Sequence, residues 1–171
     1  MPKSAFCKCR GFSLAVPVLA TLAYAYWMQP ANGADPDVTN AIIYKCVDAE
    51  RAAGRSGRVC IGKVTEPCKA KAENTHREDK IECDEREFVL WSLLLRKEIA
   101  ALEKHLDPQQ REKLRQTQDL WVKYQSDDCR LPYVLFPQER AEFIGPACTI
   151  ELKAARALQL RAWRDALSMG K

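Results

Sequence analysis

The amino-acid sequence predicts an all-α fold, a small antiparallel bundle of about five helices stapled by disulfides. Two observations predict it. Apolar side chains recur at helical spacing along most of the chain, and no segment alternates between apolar and polar for long enough to form a strand. Six of the eight cysteines follow an N-terminal segment typical of an export signal, and an even number of cysteines in an exported protein favours disulfides.

Residues 1–34 are predicted to be a signal peptide. Three basic residues lie within the first ten positions, and no charged residue occurs from Phe12 to Met28. Small residues follow, and we expect cleavage after Gly33 or Ala34. The alternative is a retained membrane anchor, but the apolar run is close to the shortest that spans a bilayer and Pro17 interrupts it. The sequence therefore predicts a periplasmic or secreted protein without stable membrane insertion after cleavage.

Residues 35–171 are predicted to form one domain, which is long enough to bury a core. The signal segment holds three of the 27 basic residues and none of the 23 acidic ones, so the rest of the chain is close to neutral. Because no stripe of basic residues interleaved with aromatic ones is left, nucleic acid is not expected as a partner. The sequence carries no phosphate-binding glycine loop and no hydrolase motif, so we expect neither a cofactor nor a catalytic residue.

The six cysteines of this domain are expected to form three disulfides. They are Cys46, Cys60, Cys68, Cys83, Cys129 and Cys148. Each cysteine and a near neighbour flank a turn or a polar stretch, so sequential pairing is predicted, first with second, third with fourth and fifth with sixth. Cys46 could instead pair with Cys68, and this alternative stays open. A metal site is not expected, because His76 and His105 lie far from any cysteine pair and the domain has no C-x-x-C motif.

The first helix is predicted to begin near Pro36, with Asp35 as its N-cap. Its predicted apolar face holds Ile42, Cys46, Ala49 and Ala53. Gly54 and Gly57 then interrupt the helical pattern. A second, short helix is predicted to carry three residues on one face, Cys60, Val64 and Cys68. Pro67 is expected to end or kink this helix.

The third helix is predicted to be the longest. Its amphipathic stripe consists of Phe88, Trp91, Leu95, Ile99, Leu102 and Leu106. The fourth helix has the strongest start signal in the chain. Asp107 is placed as its N-cap, Pro108 at the first helical position, and Gln110 where a capping box needs it. Its buried stripe is predicted to be Leu114, Thr117, Trp121 and Tyr124.

The last helix is predicted from about Pro146 to Leu167, after a loop that contains several prolines. Its predicted apolar stripe holds Leu152, Leu160, Trp163 and Leu167. Arg156 lies on the same stripe, and a lone buried charge is strongly unfavourable. We therefore predict an ion pair between Arg156 and Asp127 or Asp128, with an arginine that snorkels to water as the alternative.

Six acidic side chains lie between Glu78 and Glu87, and they are the main candidate for a charged binding surface. Glu82, Glu85 and Glu87 are its candidate binding residues. The alternative interpretation, which we favour, is a solvated helix face. Basic residues lie on the same face as these acids, and exposed ion pairs of this kind are common. Paired carboxylates could also hydrolyse a glycan, but no second feature of the sequence supports that reaction.

A second candidate site follows at helical intervals near the end of the fourth helix. It consists of Trp121, Tyr124, Asp127 and Asp128. Arg156, as the predicted partner of the two aspartates, is counted among the candidate binding residues. We interpret the set as a corner of the core sealed by a bridge between Cys129 and Cys148, because buried aromatic residues at this spacing are common. The alternative is a polar and aromatic groove that binds a partner.

Several short motifs along the chain have an order and spacing that point to one family. They are Cys60-Ile61-Gly62, Cys68, Cys83-x-x-x-Glu87-x-x-x-Trp91, Trp121-x-x-Tyr124-x-x-x-x-Cys129, and Cys148 followed by Arg156 and Leu160. Together they resemble the LprI-type lysozyme-inhibitor family over most of residues 46–160. The chain departs from the family pattern at Gln125, where arginine is usual, and at Lys153, where threonine is usual.

The resemblance implies an exported helical protein of a family named for lysozyme inhibition, with no catalytic residues to carry over. Lysozymes of the muramidase type are usually cationic, so an inhibitor is expected to expose acidic side chains such as Glu82 and Glu85. Two other functions stay open. One is a structural or stress protein of the periplasm with another protein partner. The other, with the least support, is a glycan hydrolase.

Overall fold

The structure is a computed structural model that describes the backbone of residues 36–170 and the side chains of residues 42–170. The predicted signal peptide and the candidate N-cap Asp35 lie outside the described residues. The chain forms α1 Pro36–Ala52, a 3₁₀ turn Arg58–Cys60, α2 Thr65–Lys69, α3 Arg77–Glu103, α4 Pro108–Asp128, α5 Pro132–Leu135 and α6 Gln138–Met169. The predicted all-α, disulfide-stapled fold is confirmed. Among the described helices, none combines the length and the apolar character that a membrane crossing requires.

The last helix is longer than predicted, with 32 residues against 27 for α3. It begins at Gln138, so Pro146 lies inside it and the predicted start at Pro146 was wrong. An interior proline costs about 3 kcal/mol in a helix. Residues 138–144 offset this cost, because most of them are good helix formers and Ala141 is fully buried. Tertiary packing therefore outweighs the local stop signal.

The three long helices alternate in direction along the chain, so α3 and α6 run parallel. An ion pair joins Arg77 to Glu142 near the start of both helices, and another joins Glu98 to Arg164 near their ends. The α3–α6 contact is the most extensive in the fold. Fully buried alanines on α6 leave room for larger α3 side chains such as Trp91.

The core confirms the stripe predicted for α3. Trp91, Leu95 and Leu102 are buried, and the other three stripe residues pack against them as partly buried side chains. The stripe predicted for α6 is only partly right, since Leu160 is fully buried whereas Trp163 and Leu167 are largely exposed.

The face predicted for α1 was wrong by about one residue. Ile43 and Val47 are buried, whereas Ile42, Ala49 and Ala53 are exposed. Burying two β-branched side chains one turn apart removes more apolar area from water than burying two alanines does. The helix therefore turns its larger residues inward.

The buried stripe predicted for α4 also differs from the structure, because α4 lies at the edge of the bundle. Leu114 is its only buried residue, and Trp121 is half-buried. Thr117 and Tyr124 are exposed, so the predicted buried stripe was wrong at these two positions. Because α3 and α6 cover each other, little core surface is left for α4. The predicted start of α4 is confirmed. The backbone N–H of Gln110 donates to the side chain of the N-cap residue Asp107 at 2.8 Å, and the backbone N–H of Asp107 donates to the side-chain oxygen of Gln110 at 2.9 Å.

Three disulfides staple the bundle, Cys46–Cys60, Cys68–Cys83 and Cys129–Cys148. This is the sequential pairing, and the alternative partner for Cys46 is not used. The first disulfide closes the hairpin after α1, where Gly57 has a φ of +79°. A Cβ at Gly57 would also lie 3.0 Å from the Leu158 side chain, so both backbone angle and space favour glycine.

A buried charge cluster ties the far ends of α3 and α6 together. Glu98 is fully buried and accepts a hydrogen bond from Arg164, with Arg161 3.9 Å away. Burial raises the pKa of Glu98 above its ordinary value, and the positive charges of Arg164 and Arg161 oppose that rise.

Candidate functional site

Glu87, a predicted binding residue, is part of the core and not of the surface. Its carboxylate accepts the backbone N–H groups of Gly62 at 2.6 Å, Val64 at 3.0 Å and Thr65 at 2.8 Å. The indole N–H of Trp91 donates to it at 3.0 Å. With no exposed surface, Glu87 cannot reach a partner, so its assignment as a binding residue was wrong. Its role is to hold the segment before α2 against α3.

The rest of the acidic segment divides between buried, paired and exposed side chains. Asp84 is buried and bound by Lys69 at 2.7 Å, and Asp79 accepts the backbone N–H of His76 at the start of α3. Glu82 is exposed and paired with Arg86 one turn along the helix at 2.5 Å. Glu85 is also exposed. The continuous acidic face expected from the sequence is therefore a sparser row of exposed acids.

The aromatic set at the end of α4 is mostly at the surface. Tyr124 is 55% exposed, and its hydroxyl lies 3.4 Å from Asp128 as a hydrogen-bond donor. Asp127 is exposed and accepts a bond from Lys123 at 2.6 Å, which lowers the pKa of that carboxyl. The interpretation as a core corner holds only for Trp121, which packs against the core. Sequence periodicity missed this because it does not tell which helix lies at the edge of the bundle.

Arg156 does not form the predicted ion pair. Its guanidinium donates to the side-chain oxygens of Gln118 at 2.7 Å and Gln159 at 2.6 Å. It also lies over the Trp163 ring, 5.4 Å from the centroid. Among the described residues no carboxylate lies within 4.0 Å of it, and burial lowers its pKa. Its head is buried between α4 and α6 and not in solvent, so the snorkelling alternative was wrong as well.

A groove of about 440 Å³ runs between α3, the end of α4 and α6. Phe88, Val122 and Ile150 supply apolar walls, and Glu85 lies at its edge. Its size is within the range of ligand-binding clefts. Gln125 and Lys153 both line it.

Lys153 and Arg130 are the basic residues among those that line this groove, and Lys153 lies against its aromatic wall. The ammonium of Lys153 lies over the Phe88 ring at 4.8 Å from the centroid. Burial lowers the pKa of Lys153, and the charge of Arg96 adds to that effect. None of the described carboxylates forms a salt bridge with it.

The most unusual surface of the molecule is the α5 tip, defined as residues 131–136. Leu131, Tyr133 and Phe136 are exposed, and Val134 and Leu135 have exposed fractions of 81% and 66%. A run of exposed apolar residues on one short element is uncommon in a monomer and marks interaction sites. One feature of the sequence could have indicated this surface. The segment is apolar and contains Pro132 and is followed by Pro137, which limit the length of any helix there.

The α5 tip is held firmly to α6. The Cys129–Cys148 disulfide closes its base, and Pro132 is buried. The Tyr133 ring occupies the space in which a side chain at Gly145 would lie, with a ring carbon only 2.5 Å from the position of a Cβ there. Gly145 is therefore required for this packing.

Metal ligands do come together at one point of the described chain. Ligand atoms of Asp128, Cys129 and Cys148 lie within 4.8 Å of one another. The two sulfurs are bonded to each other, so neither is a thiolate that could bind a metal. The group is explained by the disulfide.

Comparison with known proteins identifies the family. The sequence model described as "Lysozyme inhibitor LprI" matches residues 68–160, more than half of the chain. The matched part runs from α2 through α3, α4 and the α5 tip into α6, and it includes two of the three disulfides. No curated protein and no solved structure is significantly similar to the chain. The chain therefore belongs to the LprI lysozyme inhibitor family.

Proposed function

We propose that this protein is an exported envelope protein that binds and inhibits lysozyme or a related peptidoglycan-acting enzyme. The single observation that carries the proposal is the family match over residues 68–160, which contains both the groove walls and the α5 tip. The fold is compatible with such a role, because a rigid disulfide-stapled bundle loses little conformational entropy on binding a protein.

The arrangement of the acids supports binding and not catalysis. A glycosidase needs two carboxylates free to act on the substrate from opposite sides. Glu87 is saturated by four N–H donors, and Asp84 is held by Lys69. Of the other four acids, Asp79 accepts the backbone N–H of His76 at the start of α3, and Glu78, Glu82 and Glu85 are exposed on that one helix.

The three disulfides support export. Disulfides persist in oxidising compartments such as the periplasm or the extracellular space. The predicted signal peptide agrees with this location.

The experiment is an inhibition assay of the purified, oxidised protein against muramidase-type lysozymes, with a peptidoglycan hydrolysis assay of the protein alone. We expect inhibition in the first assay and no hydrolysis in the second. Inhibition of none of the lysozymes would contradict the proposal and favour a periplasmic protein with another partner. Hydrolysis by the protein alone would favour an enzyme.

Exposed acids are proposed to raise the rate of encounter with a cationic lysozyme. Reversing Glu82 and Glu85 to lysine should leave melting nearly unchanged, because exposed charges contribute only about 0–1 kcal/mol each. The same change should slow association and flatten its dependence on salt. Reversing Glu112, an exposed acid of α4, is the matched control. Association unaffected by the double reversal would exclude this surface from the encounter.

A further inference from the structure

We propose that the α5 tip is the element that enters the substrate cleft of the inhibited lysozyme. This inference rests on the proposed function and names its docking surface. It starts from the exposure of the tip. Val134 and Leu135 have the largest exposed fractions of the tip, at 81% and 66%, and both lie at the centre of an apolar segment. Apolar side chains as exposed as these lose contact with water when a partner covers them, which favours association.

The tip is fixed in one conformation before it binds. The Cys129–Cys148 disulfide closes its base, buried Pro132 anchors its start, and the Tyr133 ring packs on Gly145. Such preorganisation reduces the entropy lost on association. A short, exposed element held in this way can dock without first ordering its backbone.

Two arginines flank the apolar centre. Arg130 precedes the tip, and Arg140 follows it with its guanidinium 5.1 Å from the centroid of Phe136. Both are exposed, and neither forms a salt bridge with a described carboxylate. The tip therefore presents apolar side chains flanked along the chain by two exposed arginines, although Arg130 is close enough to Asp127 for its charge to lower the pKa of that carboxyl.

The substrate cleft of a lysozyme has the complementary chemistry. It is concave, and its glycosidic bond is cleaved between a pair of acidic side chains. A guanidinium beside a carboxylate forms short, charge-assisted hydrogen bonds. Because the tip combines apolar bulk with arginines, it matches such a cleft. Elsewhere lysozymes are cationic, and there the exposed acids of α3 are the matching charges.

The main test is Val134→Glu with Leu135→Glu in the full oxidised protein. Both side chains are exposed, so we expect unchanged far-ultraviolet circular dichroism and melting. Inhibition should weaken at least about 10-fold, because docking would bury two carboxylates that have no partner. Leu120→Glu is the matched control, because Leu120 is 72% exposed on α4 and lies outside the tip. It should inhibit like the wild type.

A second variant keeps the test informative if the glutamates disturb folding. Arg130→Glu with Arg140→Glu should slow association and weaken inhibition, whereas Arg115→Glu, on the exposed side of α4, should not. In addition, a soluble N-acetylglucosamine oligomer that occupies the lysozyme cleft should compete with the protein for lysozyme.

The outcomes separate the two proposals. If the wild type inhibits and both tip variants inhibit equally well, the tip proposal fails and the proposed function stands. Simultaneous binding of the protein and the glycan oligomer to lysozyme also overturns the tip proposal. If the wild type inhibits no lysozyme, both proposals fail. Tip-dependent binding to anionic lipid vesicles without lysozyme inhibition would assign the tip to a membrane surface instead and overturn this inference.

Discussion

The segment before α2 and the α5 tip are both short connections held by a disulfide, but they differ in how far their apolar side chains are buried. In the segment before α2, residues 61–64, Val64 is buried, and its amide and that of Thr65, the buried first residue of α2, donate to Glu87. In the α5 tip, Val134 and Leu135 point outward and are 81% and 66% exposed. The difference teaches that one connection stabilises the fold, whereas the other is free to serve a partner. Three of the four predictions below test this division, and the other tests the buried charge cluster at Glu98.

The largest expected effect is at Glu87. Glu87→Ala would leave three backbone amides and the Trp91 indole without an acceptor inside the core. We expect a loss of about 3–5 kcal/mol in the free energy of unfolding, because buried donors without partners are costly. Urea unfolding of the oxidised protein measures it. Glu85→Ala, two residues away and exposed, should change stability by about 0.5 kcal/mol or less. Equal effects of the two changes would contradict the role given to Glu87.

The second prediction removes the disulfide at the base of the tip. Replacing Cys129 and Cys148 with serine opens a loop with a sequence separation of 19 residues and should cost about 3 kcal/mol. Amide hydrogen exchange should rise most in the tip and in the first turns of α6. Unchanged exchange there would mean that the Tyr133–Gly145 packing alone is sufficient.

The third prediction concerns pH and the buried Glu98. Burial raises its pKa in the folded state, so the folded protein binds its proton more readily than the unfolded chain does. This contribution to stability is fully present below the ordinary glutamate pKa. It declines as pH rises from that value through the higher pKa of the folded state. The wild type should therefore lose stability relative to Glu98→Gln over this range, as measured by unfolding at several pH values. A wild type that gains stability relative to Glu98→Gln as pH rises would contradict the prediction.

The smallest expected effect is at the tip itself. Val134→Ser should change the free energy of unfolding by about 0.5 kcal/mol or less, since the side chain is 81% exposed. Val47→Ser, at a buried position of the same residue type, should cost several times more. Thermal melting compares the two. A large loss at Val134 would show that the tip is structural.

Sequence reasoning succeeded where the signal was local. The capping box at Asp107 and Gln110, the α3 stripe and the all-α class depend on residues a few positions apart. Sequence reasoning failed where the burial of a side chain depends on how elements distant in the chain pack together. The burial of Glu87 depends on amides 22 to 25 residues away in the chain. Tyr124 is exposed because α6, and not α4, packs against the apolar face of α3. No periodicity within one helix contains either fact.

The length of α6 also sets where the protein can be attached to a surface. The α5 tip precedes the first turn of α6, and the described chain ends just after Met169 at the other end of that 32-residue helix. At 1.5 Å per residue the two points are about 45 Å apart along the helix. A C-terminal tag would therefore tether the protein with its tip directed away from a sensor surface, leaving it accessible to a partner the size of lysozyme.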